Sequence, residues 1–270
     1  MSFYTSLNGL KNAQTELSVI ANNLANAETT GFKKSRINFA DIVSGTASSN
    51  PKLVKGIGSA VQSIDQNFSL GPTQQTGSAL DLAINGEGFF VKVSPVTGKT
   101  FYTRNGNFGM DGAGYITDVQ GNRLQVLPVD TAGNVTSTTP QDALAPGTNA
   151  AGAEIMSVTV KTDGAMIAAY ADGSVTEIGK VALASFVSPP GLLQIGNQDW
   201  QATGISGPAS YGQPGAARFG TMLSGSLEQS NVDIAEEMVG LITAQRYFQA
   251  NAKAIDTATQ LSQTIINLRT

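Results

Sequence analysis

The stretch IAEEMVGLITAQRYFQANAKAI, residues Ile234 to Ile255, decides the fold. Within it Ile234, Met238, Leu241, Gln245, Phe248, Ala252 and Ile255 follow one another at alternating steps of 4 and 3. That is the a/d spacing of a helix with a narrow apolar seam. Beyond Ile255 the seam drifts through Ala258, Leu261, Ile265 and Leu268, a period nearer 3.6. No Pro interrupts the run from Asp233 to Leu268, and its one Gly is Gly240. Asn231 or Ser230 is expected to cap the start. Asp233, Glu236 and Glu237 stand in the first turns, where the helix dipole favours acids, and Arg269 stands in the last, where it favours bases.

The first thirty residues carry the same spacing. Phe3, Leu7, Leu10, Gln14, Leu17, Ala21 and Leu24 again alternate steps of 4 and 3, which predicts a helix of about 25 residues, roughly 38 Å long. Ser2 or Thr5 is expected to cap it. Its end is expected near Glu28–Gly31, with Gly31 in the left-handed conformation.

Between the two ends the texture changes. Short apolar runs at Leu80–Ile84, Phe89–Val93, Thr100–Arg104, Tyr115–Val119, Arg123–Val129, Ser157–Lys161, Met166–Tyr170, Ser174–Ile178 and Lys180–Val187 read as strands. Asn85-Gly86, Asn105-Gly106, Asp111-Gly112, Asp163-Gly164 and Asp172-Gly173 read as hairpin turns. Thr131–Ala153, poor in aromatics and rich in Thr, Ala, Gly and Pro, reads as a surface loop. The expected fold class is α+β: an N-terminal helix (1–30), an extended connector (31–75), a central antiparallel, meander-type β domain (76–225) and a C-terminal helix (226–270). The helices can pack on their own domain, or on each other and on further copies as a coiled-coil-like stalk. The narrowness of the seams favours the stalk.

Composition removes whole classes of function. The 270 residues contain no Cys and no His, which excludes thiolate and imidazole metal sites and every Ser-His or Cys-His nucleophile. Sixteen Lys and Arg against 20 Asp and Glu give a net charge of −4, so a nucleic-acid partner would find no basic footprint. Charged residues are only 13% of the chain, about half the usual ~25%, a surface better suited to being covered by neighbours. No apolar run is long enough to insert in a membrane, and the first residues lack the pattern of a cleaved signal peptide.

Motif by motif, no reaction emerges. Asn85-Gly86-Glu87-Gly88 offers a G-x-G, but Val91 stands at the third glycine position and a strand follows. Asp111, Gly112, Gly114 and Asp118 lack the spacing and terminal Glu of a calcium loop. Asp65, Asp81 and Glu87 are acids that a hydrolase of glycans could pair, yet nothing singles them out. No catalytic, cofactor-binding or metal residue is assigned; an enzyme and a free-standing adhesin remain as rivals to a structural role. Asn22, Asn23 and Asn26 are poor helix-interior residues and point to buried amide contacts or a prepared helix end. Lys33, Lys34 and Arg36 read as a small solvated basic face. Gln245 and Arg246 place an amide and a guanidinium on the seam-bearing C-terminal helix.

Two long segments carry a resemblance. LSVIANNLANAETTGFKKSRINFAD (Leu17–Asp41), with Asn22, Asn23, Asn26, Gly31 and Phe32, resembles the N-terminal signature of the flagellar rod and hook proteins. LEQSNVDIAEEMVGLITAQRYFQANAKAIDTATQLSQTIINLR (Leu227–Arg269), with Asn231, Asp233, Gln245 and Arg246, resembles their common C-terminal segment. GSALDLAINGEGFF (Gly77–Phe90), FYTRNGNFGMDGAGYI (Phe101–Ile116) and GLLQIGNQDW (Gly191–Trp200) resemble the family's middle. The resemblance implies a structural subunit that polymerises with itself into a hollow helical tube, its terminal helices lining the channel and its β domain outside. It implies export without a cleaved signal peptide through the flagellar type III apparatus. The implied neighbours are other axial proteins: distal rod, hook–filament junction and hook cap. Within the family the Ser2-Phe3 start, the QNFSLGPTQQTGSALDLAI run (Gln66–Ile84) and the ending from AQRYFQANAKAIDTATQ (Ala244–Gln260) onward look most like a hook subunit, short for its kind. A distal rod subunit is the alternative, against which Ala40–Gly58 looks short for the insertion that protein carries after its first helix.

Overall fold

The computed structural model describes residues 2–44, 55–130 and 132–267; expectations that fall on residues 45–54 and 131, and on Leu268 and Arg269, lie outside them. The chain divides into two units. One is built from Met1–Ala27, Lys34–Asn67 and Val232–Thr270, the other from Glu28–Lys33 and Phe68–Asn231.

The first unit holds both helices, α1 (Ser2–Ala25) and α2 (Ile234–Asn267). The cap of α2 is Asp233 rather than Asn231 or Ser230: its Oδ1 accepts from the backbone N–H of Ala235 at 2.8 Å and of Glu236 at 3.2 Å. The helix α1 is already running at Ser2, so Thr5 lies inside it. Between the helices in sequence, β1 (Ser35–Ser44) and β2 (Lys55–Gln66) pair antiparallel from Ser35↔Gln66 to Ser44↔Lys55, with irregularities after Asn38 and Ile42. Much of the expected extended connector is thus a long hairpin. Its side chains alternate too weakly to advertise a buried face, since Phe39, Val43, Ile57 and Ile64 all stay exposed.

The second unit is an antiparallel β body. Its main sheet runs Ile155–Val160, Ala165–Tyr170, Val175–Val181, Arg123–Leu127, Phe89–Val93, Thr100–Thr103, Asp199–Gln201, Leu193–Gly196. Its first three strands form a meander, and Phe89–Val93 with Thr100–Thr103 and Leu193–Gly196 with Asp199–Gln201 are further hairpins, but these pieces join one another through strands distant in sequence. Phe89–Val93 lies in the middle and is buried on both faces. Phe90 joins a core with Leu124, Val126, Met166 and Leu183, while Phe89 and Val91 join a second with Leu127, Phe186 and Trp200. Thr131–Ala153 is more than a surface loop: Gln141–Asp142 pairs with Val126 and Gln125, and Ala143 and Ala145 are fully buried.

The hairpin turns follow a rule that reading for Asx-Gly pairs misses. Asp111, Asp118, Asp130 and Asn149 each donate a backbone N–H to the carbonyl four residues on and accept from a Gly three residues on. Those glycines, Gly114, Gly121, Gly133 and Gly152, have φ of 80–89°, the geometry of a type I turn closed by a glycine bulge. Asp163-Gly164 and Asp172-Gly173 close hairpins of the same kind. Asn85-Gly86 and Asn105-Gly106 join strands that do not pair with one another.

Candidate functional site

In the first unit the two helices touch antiparallel. Asn23 meets Glu237, Ile20 reaches to 3.4 Å of a Cβ built on Gly240, and Asn251 lies against Gly9. The contacting residues therefore fall one position before the predicted seam on both helices. The small ones, Gly9, Ala13, Gly240 and Ala244, let the backbones approach, and Ala13, Ile20 and Ala244 are buried. One residue is about 100° of helix rotation, so the predicted residues form a flank beside the contact. Leu7, Leu10, Leu17, Leu24, Leu241, Phe248, Ala252 and Ile255 are half-buried, while Phe3, Ala21, Ile234, Met238 and Gln245 are exposed. Arg246 is exposed as well.

Asn23 is the bracket of this unit. Its Nδ2 donates to Ser35 O at 2.9 Å and to Glu237 Oε2 at 3.2 Å, and its Oδ1 accepts from Ser35 N at 2.9 Å. One side chain thus holds the end of α1, the start of β1 and the start of α2. Lys34 Nζ completes the cluster at 2.8 Å from Glu236 and 3.0 Å from Glu237. Asn22 is exposed and its carbonyl accepts from the Asn26 side chain at 2.9 Å. Of the three asparagines, one makes the buried amide contact and two finish the helix.

In the second unit lies a closed ionic cluster. Glu228 accepts from Lys33 Nζ at 2.5 Å and from Gly71 N at 3.0 Å on one oxygen, and from Arg104 at 3.2 Å on the other. None of the three side chains reaches solvent appreciably. Burial pulls Lys33 below the ordinary lysine range, with Glu228 opposing and Arg104 adding to the fall. Burial likewise lowers Arg104, against Glu228. Arg104 also stands 5.3 Å over the Phe89 ring. The expected solvated basic face is therefore split three ways: Lys33 buried, Lys34 paired, Arg36 exposed.

Gly31, Phe32 and Asn231 belong to the same place. Gly31 N donates to Glu228 O at 2.8 Å, so Gly31 is a tertiary joint rather than the helix cap, which comes six residues earlier. Its φ is +71°, and a Cβ there would fall 2.6 Å from Asn105 N. Phe32 is buried, and Asn231 donates to Ser69 O at 3.1 Å. Lys33 donates to that same carbonyl at 2.7 Å. Residues 28–33, 69–71 and 228–231, which stand beside every passage of the chain between units, are thus bound to one another. Two of the three acids weighed for hydrolysis are engaged locally: Asp65 with Asn38 at 2.6 Å, Asp81 with Thr76 at 2.6 Å.

Apolar flanks left open on two helices, and ionic groups closed inside the fold, describe a protein built for contact. Comparison with known proteins gives the class. Residues 3–33 match the family described as flagella basal body rod protein, 83–176 the flagellar hook protein FlgE/F/G D1 domain, and 223–268 the flagellar basal body rod FlgEFG protein C-terminal region. The chain is 38% identical to the flagellar basal-body rod protein FlgG of Bacillus subtilis over 99% of its length and 98% of that protein's. It is 33% identical to FlgG of Borreliella burgdorferi over the same shares. To the flagellar hook protein FlgE of Escherichia coli it is 26% identical over an alignment of 410 residues.

The chain belongs to the flagellar basal-body rod and hook family, whose members are structural proteins and not enzymes. The hook preference is corrected by these comparisons. The FlgG alignment with the Bacillus protein spans 280 positions at 38% identity, whereas that with the Escherichia coli hook protein spans 410 at 26%, so the rod alternative is better supported than the hook.

Proposed function

We propose that the chain is a subunit of the distal rod of the flagellar basal body, a stiff shaft that transmits torque. The single observation that carries this reading is the end-to-end similarity to FlgG proteins at 33–38% identity. In this reading the subunit leaves the cytosol through the flagellar type III apparatus without a cleaved signal peptide and takes its place among the other axial proteins. Copies assemble by heterologous contacts that do not close, giving a helical tube. The flanks Phe3–Leu24 and Ile234–Ile255 meet those of neighbouring copies as a coiled-coil-like inner layer, covering the apolar stripe that one chain leaves open. Cryo-electron microscopy of the polymer tests it. Straight, uniform tubes with both helices lining the channel are expected; tubes whose axial spacings vary around a bend would return the assignment to a hook.

A further inference from the structure

The helix pair is unequal in length. On the offset that sets Ile20 against Gly240 and Gly9 against Asn251, Ser2 stands level with Ala258. The turns Thr259–Asn267 of α2 therefore run about 14 Å past α1. They carry Leu261, Ile265 and Ile266, all well exposed. About 32 Å back along α2, the same unit has a groove of about 550 Å³ where α2 starts beside α1 and β1. Val19, Ile37, Phe39 and Val239 give it apolar walls, and Val239 is 65% exposed. Its volume is that of a pocket for a modest organic group, with room for two or three aliphatic side chains.

Two charged groups that line the groove, Glu16 and Arg36, make no hydrogen bond or ion pair among the described residues, whereas Lys34, Glu236 and Glu237 at the groove satisfy one another. Burial pushes Glu16 up, with nothing opposing. An occupant that brings hydrogen-bond donors beside aliphatic groups would suit it. The overhang has that composition, with Gln260 and Gln263 interspersed among Leu261, Ile265 and Ile266.

We propose that the overhanging end of α2 in one copy of the chain docks into the Val19–Phe39–Val239 groove of a second copy. The two surfaces lie at opposite ends of one unit and are too far apart to meet within a chain, so each copy offers one of each. Such a contact is heterologous and propagates without closing. It rests on the polymer reading above and names a specific axial joint within it.

The chain contains no Cys, which makes cross-linking clean. Val239→Cys with Ile265→Cys, and separately Phe39→Cys with Leu261→Cys, place thiols at exposed positions of the full-length chain. After oxidation of the polymer, at least one double variant is expected to give a ladder of multimers on a non-reducing gel, abolished by reductant. An equimolar mixture of the two single variants should stop at dimers. Polymer that forms normally while neither pair cross-links overturns the joint and leaves the polymer reading standing, as does a cross-link confined to monomer mass. If the thiol of Val239→Cys is shielded from maleimide in such un-cross-linked polymer, the groove belongs to another occupant. Failure of the unmodified chain to polymerise at all overturns both.

Discussion

Lys33 Nζ lies 2.5 Å from Glu228 Oε1 across 195 residues of sequence, with neither side chain exposed. Together with Arg104 it leaves two buried cations on one carboxylate. Removing the shared partner strands both, and breaking such a buried pair costs about 3–5 kcal/mol. Glu228→Gln is therefore expected to destabilise the β unit by about that amount. The triple replacement Lys33→Met, Glu228→Leu, Arg104→Met is expected to recover most of it, because an apolar cluster of similar volume carries no desolvation penalty. The sole tryptophan, Trp200, is buried in this unit, so urea unfolding followed by its emission reads the effect directly. A neutral Glu228→Gln would show that the cluster is dispensable.

Gly31 is held to its conformation twice over, by φ +71° and by the approach of the Asn105 backbone. Gly31→Ala adds the ~1–2 kcal/mol cost of a left-handed non-glycine residue to a Cβ overlap with backbone atoms that cannot swing away. A loss of at least ~2 kcal/mol in the same urea assay is expected. Gly77→Ala, also left-handed at φ +81° but with nothing within 4 Å of its Cβ, should lose only the conformational part. Equal losses at the two sites would remove the steric argument.

These two residues also show what sequence could and could not reveal. Both helices are legible because their apolar periodicity is local, and Phe89–Val93 because it is a short apolar run. The contact face of the helices is not, since Gly9, Ala13, Gly240 and Ala244 are chosen for smallness and carry no hydropathy signal. Lys33 reads as part of a small solvated basic face with Lys34 and Arg36; only the fold brings Glu228 to it. The hairpin β1–β2 escapes because its alternation is weak and apolar groups such as Phe39, Val43, Ile57 and Ile64 stay exposed, marking no buried face. Gly31 is expected in the left-handed region and is there, for a tertiary rather than a capping reason.

Lys92 is buried between Asp118, with which it makes a short contact, and Asp199 at 2.7 Å. Burial pushes Asp118 up, but hydrogen bonds from Lys92 and Asn122 outweigh it and hold the carboxyl below the ordinary 3.8. Burial pushes Asp199 above 3.8 despite Lys92. A depressed carboxyl contributes stability that is present above its unfolded value and lost as pH falls through its folded one. A raised carboxyl binds its proton more readily when folded, so stability falls as pH rises from 3.8 through its folded value. The difference between parent and Asp199→Asn should therefore develop above 3.8, and that between parent and Asp118→Asn should vanish below it. Urea unfolding of the β unit across acid pH, read by Trp200, checks both limbs. Identical pH profiles for parent and variants would mean that neither carboxyl titrates differently on folding.

Leu17 and Leu241 sit on the half-buried flanks of α1 and α2, beside rather than within the contact the helices share. Completing their burial on assembly would contribute ~1 kcal/mol per side chain, repeated at every subunit of a tube. An aspartate there reverses the sign, because an unpaired carboxylate must be desolvated. Leu17→Asp or Leu241→Asp is thus expected to abolish sedimentable polymer while leaving the Trp200-reported unfolding of the β unit unchanged. Ala244→Leu tests the other face of the same helix. Ala244 is fully buried, so overpacking it should cost ~1–3 kcal/mol and lower the helical circular dichroism of the monomer itself. If the two aspartate variants polymerise normally, the open apolar flank is not the assembly surface, whatever becomes of the helix pair.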